Sequence, residues 1–195
     1  MSDTVARVLR SRVRETPDEP LIKCGGPWLT ARQVDDTSAA VAAGLYDLGV
    51  RRGDRVLIML PNRQEMIELF FACARSGAIQ VPVNVYLKGE FLAYQLSDSQ
   101  CRVAITDRAG LERLAPLIGD TNLTHIVLVD ALTVSDGKLA VPVVPYAPLR
   151  ETLRHATEPE ASGGDLVSIL YTSGTTGPSK GCMLSNTYYT VPPSS

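Results

Sequence analysis

Val5, Val8, Leu9 and Val13 recur at helical spacing, and arginines fill the positions between them. This predicts a surface helix that packs a narrow apolar stripe; a basic helix lying on a membrane is the alternative. ETPDEP breaks that helix. PLIKCGGPWLT reads as two short strands around a Gly-Gly-Pro turn. Thr30 is placed to cap a helix from Ala31 to about Leu48, with Gln33 as its capping-box partner and Gly49 as its stop. Arg55 to Leu60, RVLIML, is a near-continuous apolar run of the kind found in strands buried on both faces. A helix follows to about Ser76, where Met66, Ile67, Phe70, Phe71 and Ala74 mark the apolar face.

The alternation continues. AIQVPV is a short strand, and Pro82 places it at a sheet edge or ends it early. Helix Lys88 to Ser97, strand Arg102 to Thr106, helix Arg108 to Ile118 and strand His125 to Val129 come next. Between Asp130 and Gly164 the rhythm lapses, and VSDGKLAVPVVPYAPL reads as a surface excursion with a hairpin around Asp136-Gly137. The fold class is therefore α/β, a layered parallel sheet with helices on both faces.

Composition narrows the setting. The chain has 195 residues, enough for one domain with a sizeable core. A formal net charge of −2 gives no electrostatic reason to bind nucleic acid. Cys24, Cys73, Cys101 and Cys182 form no CxxC pair and lie far in sequence from His125 and His155, so neither a zinc site nor a disulfide framework is expected. No metal ligands are assigned. No signal-peptide pattern opens the chain. No run approaches the ~18 apolar residues of a membrane span. Reduced thiols and a cytoplasmic location are the expectation.

The chemistry lies in YTSGTTGPSKG, Tyr171 to Gly181, directly behind the apolar segment DLVSIL. A buried strand that runs into a glycine-rich loop sits where open α/β sheets bind ligands. Glycines bring backbone N–H groups close to a ligand, and successive N–H groups make an anion-binding concavity. Thr172, Ser173, Thr175 and Thr176 add hydroxyls, and Lys180 adds a point charge suited to polyphosphate. The loop is not GxxxxGK[ST], since no Ser or Thr follows Lys180, and no GxGxxG is present.

This string resembles the phosphate-loop signature [YF]TSGTTGxPKG of the adenylate-forming superfamily, which includes acyl-CoA synthetases, amino-acid adenylation domains and beetle luciferases. The likeness extends upstream through Pro61 to Asp107, whose pattern is similar to N-x-x-E…F-x-A-x-x-x-G-A-x-x-x-P-x-N…E-L-x-Y-x-L-x-D-S, and through WLTARQVDDTSAAVAAGLYDLGVRRGDRV. It covers the chain from about Val5 to Ser185 and is nearest to acid–CoA ligases. Ser179 stands where Pro is usual, and Asn186 where His is frequent.

The resemblance implies an enzyme of fatty acid metabolism or a related ligase. It uses ATP and Mg²⁺ to turn a small carboxylic acid into an acyl-adenylate, then passes the acyl group to CoA. Thr172, Ser173, Gly174, Thr175, Thr176, Gly177 and Lys180 would hold the phosphates. Family enzymes run to roughly three times this length. On that comparison residues 1–195 are the N-terminal part, ending just after the phosphate loop. The adenine contacts, CoA contacts, metal-holding glutamate and catalytic lysine then lie downstream, in a missing C-terminal part. No catalytic residue is assigned within the chain, and the piece alone is expected to be inactive. The alternatives are an adenylation domain that loads a carrier protein and a truncated, non-catalytic nucleotide-binding protein.

Overall fold

Strand β3, Arg55–Met59, shows how the sequence builds its layers. Alternate side chains of a strand face opposite ways. Val56 and Ile58 enter one apolar cluster, and Leu57 and Met59 enter another. All four are at most 1% exposed. Burying each such side chain contributes about 1.5–3 kcal/mol, so β3 is held by helices on both of its faces. In this computed structural model the described residues are 3–132, 139–152, 161–172 and 179–191.

β3 lies at the centre of a seven-stranded sheet. The other strands are β4 (Ile79–Pro82), β5 (Val103–Thr106), β6 (His125–Leu128), β7 (Val143–Pro145), β8 (Leu166–Thr172) and β9 (Lys180–Ser185), in the order β7-β6-β5-β3-β4-β8-β9. Every neighbouring pair is parallel except β8 with β9. β1 (Pro20–Lys23) and β2 (Trp28–Thr30) form a separate antiparallel ribbon.

The chain moves one way from β3 to β4 and the other way from β4 to β5. Right-handed crossovers then put the connecting helices on opposite faces. Accordingly α3 (Gln64–Ser76) packs with α2 (Ala31–Asp47) and α6 (Ala147–Arg150) on one face. α4 (Gly89–Ser99), α5 (Arg108–Leu114) and the 3₁₀ turn Ala115–Asp120 cover the other. α1 (Val5–Glu15) buries Val5, Ala6 and Leu9, and Val5 clusters with Ala74 and Val167. Val5 and Leu9 of the expected stripe are therefore core, Val13 is partly buried and Val8 stays exposed.

Local rules operate where expected. Thr30 and Gln33 form a full capping box, with Gln33 N–H donating to Thr30 Oγ1 at 3.2 Å and Thr30 N–H donating to Gln33 Oε1 at 2.9 Å. Gly49, at φ +88°, turns the chain out of α2.

Two expectations need correction. β4 is interior, not an edge; it does end at Pro82, and its ladder with β8 is the single pair Gln80↔Ser168, so the missing proline N–H falls beyond that ladder. The stretch after Asp130 is not all a surface excursion, because Val143–Pro145 extends the sheet in parallel and Tyr146 and Leu149 are buried; the hairpin expected at Asp136-Gly137 lies outside the described residues. The expected α/β sheet with helices on both faces is present and mostly parallel, and within it β9 returns antiparallel to β8.

Two buried polar centres tie distant segments together. Glu68 of α3, 2% exposed, accepts from Tyr146 Oη at 2.7 Å and Gln64 Nε2 at 2.9 Å, and Arg150 of α6 pairs with it at 3.0 Å. Burial and the Glu68 carboxylate push the Tyr146 phenol well above its ordinary range. Asn186, also 2% exposed, opens α7 (Asn186–Thr190). Its Oδ1 accepts from Val5 N–H at 2.9 Å and its Nδ2 donates to the Ser162 carbonyl at 3.1 Å, joining α1 to the root of β8. The residue that departs from the family's frequent His is thus a structural clasp.

Candidate functional site

β8 has the sequence LVSILYT, rich in β-branched and apolar residues, and it leads directly into the glycine-rich loop. Thr172 ends β8 and Lys180 begins β9. The two are register partners, as are Tyr171 with Gly181 and Leu170 with Cys182. The loop therefore springs from a closed antiparallel hairpin, with a hydroxyl on one foot and a cation on the other. Thr172 and Lys180 are both exposed. Ser173, Gly174, Thr175, Thr176 and Gly177 lie outside the described residues, so the structure places two of the seven candidate site residues.

The hairpin's feet are anchored from beneath. At Gly181 an added Cβ would meet Ile169 Cγ2 at 2.8 Å and Tyr171 Cζ at 3.4 Å. The last glycine of the motif thus meets a packing requirement: it leaves room for the Ile169 side chain, with the Tyr171 ring in ordinary contact beside it. Tyr171 Oη in turn donates to Asp98 Oδ2 on α4 at 2.5 Å. Burial first, and then the Asp98 carboxylate, hold the Tyr171 phenol protonated far above its usual range. On the other foot Gln95 Nε2 donates to Ser179 Oγ at 3.1 Å. Behind the hairpin Ser168 of β8 accepts from Gln80 Nε2 of β4 at 2.7 Å and from Tyr189 Oη of α7 at 2.9 Å.

Sequence reading missed Gln95, Asp98 and the packing role of Gly181. Two polar residues three apart on a helix look like a solvated face, and nothing local says that one of them is buried. Cys182 is exposed, with Thr172 Oγ1 4.0 Å from its sulfur. His125 opens β6 with the Thr124 hydroxyl 3.2 Å from its Nδ1, consistent with a structural role.

Among the described residues no group of three His, Cys, Asp or Glu side chains could hold a metal ion. The donor set at the hairpin is hydroxyl, amide and ammonium, which suits an anion rather than a bare cation. A concavity of about 630 Å³ runs along α1 beside Arg7, Arg10 and Arg14, and it shares no residue with the hairpin. No helix among the described residues is long and apolar enough to cross a membrane.

Known proteins resemble this chain in sequence and fold. The family model for AMP-binding enzyme matches residues 9–191. A long-chain-fatty-acid–CoA ligase of Haemophilus influenzae is 32% identical, covering 94% of this chain and 37% of its own. A crotonobetaine/carnitine–CoA ligase of Salmonella paratyphi B is 35% identical, covering 72% of this chain and 27% of its own. Among solved structures, the anthranilate CoA ligase AuaEII in complex with anthranoyl-AMP superposes with a TM-score of 0.85 at 25% identity, over 95% of this chain and 35% of that one. The Mycobacterium tuberculosis fatty acyl CoA synthetase gives 0.69 at 27% identity, over 94% and 34%. The chain spans about a third of the length of the curated relatives it matches, 37% and 34% of the first two. A match over residues 9–191 places the chain in the AMP-binding enzyme family.

Proposed function

We propose that this chain is the N-terminal part of an AMP-forming acid–CoA ligase and carries its phosphate-binding loop. The supporting observation is the hairpin that sets Thr172 opposite Lys180 at the two feet of a hydroxyl- and glycine-rich loop. In the first step a carboxylate oxygen attacks the α-phosphorus of ATP. The bond from that phosphorus to the bridging oxygen breaks, and pyrophosphate leaves with the negative charge. In the second step the CoA thiolate attacks the acyl carbon and AMP departs.

Thr172, Ser173, Gly174, Thr175, Thr176 and Gly177 would give hydroxyl and backbone N–H donors to the β- and γ-phosphates, and Lys180 would pair with them. Such donors cost no reorganisation as charge grows on the leaving group. Mg²⁺, when bound, neutralises phosphate charge, and the glutamate that the family resemblance implies for holding it would lie in chain beyond this part. The adenine, CoA and remaining catalytic contacts would come from chain beyond this part, so residues 1–195 alone would be inactive. The relatives' names favour CoA over a carrier protein as acceptor. They differ in acid, so the substrate is to be found by screening carboxylic acids. The cytoplasm, with its reduced thiols, is the expected compartment.

Two measurements test this reading. The intact mass of the product in its source cells should lie far above 21.0 kDa; a stable 21.0 kDa product would favour a non-catalytic binding protein. In the complete gene product, Lys180→Ala should weaken acid-dependent exchange of pyrophosphate into ATP, and unchanged exchange would count against the loop's role.

A further inference from the structure

We propose that α4 is a brace for the phosphate loop, and that Gln95 and Asp98 are positioning residues that fix its two feet through Ser179 and Tyr171. The proposal rests on the phosphate-site reading above. Gln95 and Asp98 are three residues apart on α4, so their side chains neighbour each other on one helix face. Asp98 grips Tyr171, the residue before Thr172, and Gln95 grips Ser179, the residue before Lys180. Each described site residue is thus chain neighbour to a braced one. The brace is itself fixed: Leu92 and Leu96 of α4 are 0% and 2% exposed in the core.

Gln95 does not look like a stabilising residue. It is 5% exposed, and its buried Oε1 has no partner among the described residues. Burying an amide is costly unless its hydrogen-bonding capacity is met, and an apolar side chain at 95 would avoid the cost. What Gln95 does offer is one directed hydrogen bond to a loop foot 84 residues away in sequence. Displacing a positioned group by about 1 Å can cost as much as 10²-fold in rate, so a fixed foot has a catalytic use that a stability argument lacks. Ser179, the residue that departs from the family's usual proline, is the one that Gln95 holds.

The test is a double-mutant cycle on the complete gene product, read as kcat and KM for ATP in acid-dependent pyrophosphate exchange, with melting temperature alongside. Gln95→Leu and Ser179→Ala should each raise the KM for ATP about three- to tenfold, the worth of one hydrogen bond. Because both remove the same bond, the double variant should be no worse than the poorer single one. Gln95→Leu should melt no lower than wild type, an outcome that a purely structural role for Gln95 would not give. Additive effects, or no change in KM, overturn the brace. Should Gln95→Leu fail to fold, Ser179→Ala and Tyr171→Phe put the same question from the loop side; unchanged KM in both overturns it. Absent exchange in wild type, or exchange indifferent to Lys180→Ala, removes the phosphate-site reading and the brace with it. Normal Lys180 dependence with inert position 95 and 179 variants removes the brace alone.

Discussion

Tyr146→Phe should destabilise the fold by about 2 kcal/mol without touching the β8–β9 hairpin. The substitution keeps the ring, which packs in the cluster under α2 and α3, and deletes only the hydroxyl. That hydroxyl donates to Glu68 Oε2 at 2.7 Å, and Glu68 is 2% exposed. A hydrogen bond to a charged group contributes roughly 1.5–3 kcal/mol. Water has little access to replace it at so buried a carboxylate. Gln64 and Arg150 stay in place, at 2.9 and 3.0 Å, so the charge is not left bare and the loss should fall short of the ~3–5 kcal/mol of a broken buried ion pair. In a chain of this size about 2 kcal/mol corresponds to a melting shift of roughly 4–8 °C. Urea unfolding followed by circular dichroism reads it directly: the midpoint should fall while the slope stays constant. A loss under about 0.5 kcal/mol would refute the account of Glu68 as a carboxylate that depends on its donors.

Three further outcomes are expected. In native chain at pH 8, iodoacetamide followed by mass spectrometry should label exposed Cys182 first and leave buried Cys73 and Cys101 unlabelled until urea is added; equal rates at Cys73 and Cys182 would contradict the burial. Burial raises the Cys73 thiol to about 12 and Cys101 to about 11, and it also raises Tyr146 and Tyr171. The folded state therefore keeps protons that the unfolded state releases, so this stability is present below the ordinary thiol and phenol values and is lost as pH climbs towards the folded ones. Urea midpoints should fall between pH 7 and about 10.5, with the two buried thiols contributing most because their ordinary values are passed first; a flat profile would refute this. Asn186→Ala deletes the bond to Val5 N–H and the one to the Ser162 carbonyl, and should cost about 2–3 kcal/mol by the same urea assay, whereas a neutral result would mean that α1 is held without its clasp.

The parts of this fold written in local pattern were legible in the sequence. The Thr30–Gln33 capping box needs only two residues three apart, and the core strands announce themselves as apolar runs because both faces are buried. What escaped is set by distant partners. β7 hides in VPVVP because an outer strand tolerates proline where it has one neighbour, and β6 is that neighbour among the described residues. β9 carries KGCMLS, a mixed string that becomes a strand only because β8 offers its free side. At the hairpin, Thr172 and Lys180 drew notice because hydroxyls and a lysine among glycines suggest a chemical use, and the structure sets them as register partners. Gln95 and Asp98 were not, since their meaning lies in the residues that they reach across more than 70 positions, 84 for Gln95 to Ser179 and 73 for Asp98 to Tyr171.

The central claim is that the loop on the β8–β9 hairpin holds the phosphates of ATP during adenylate formation. Acid-dependent exchange of pyrophosphate into ATP, measured on the complete gene product and its Lys180→Ala variant across a panel of carboxylic acids, tests it most directly. The account predicts exchange with at least one acid in wild type and a loss of tenfold or more, about 1.4 kcal/mol, when the lysine is removed. Exchange that proceeds equally well without Lys180 would contradict it.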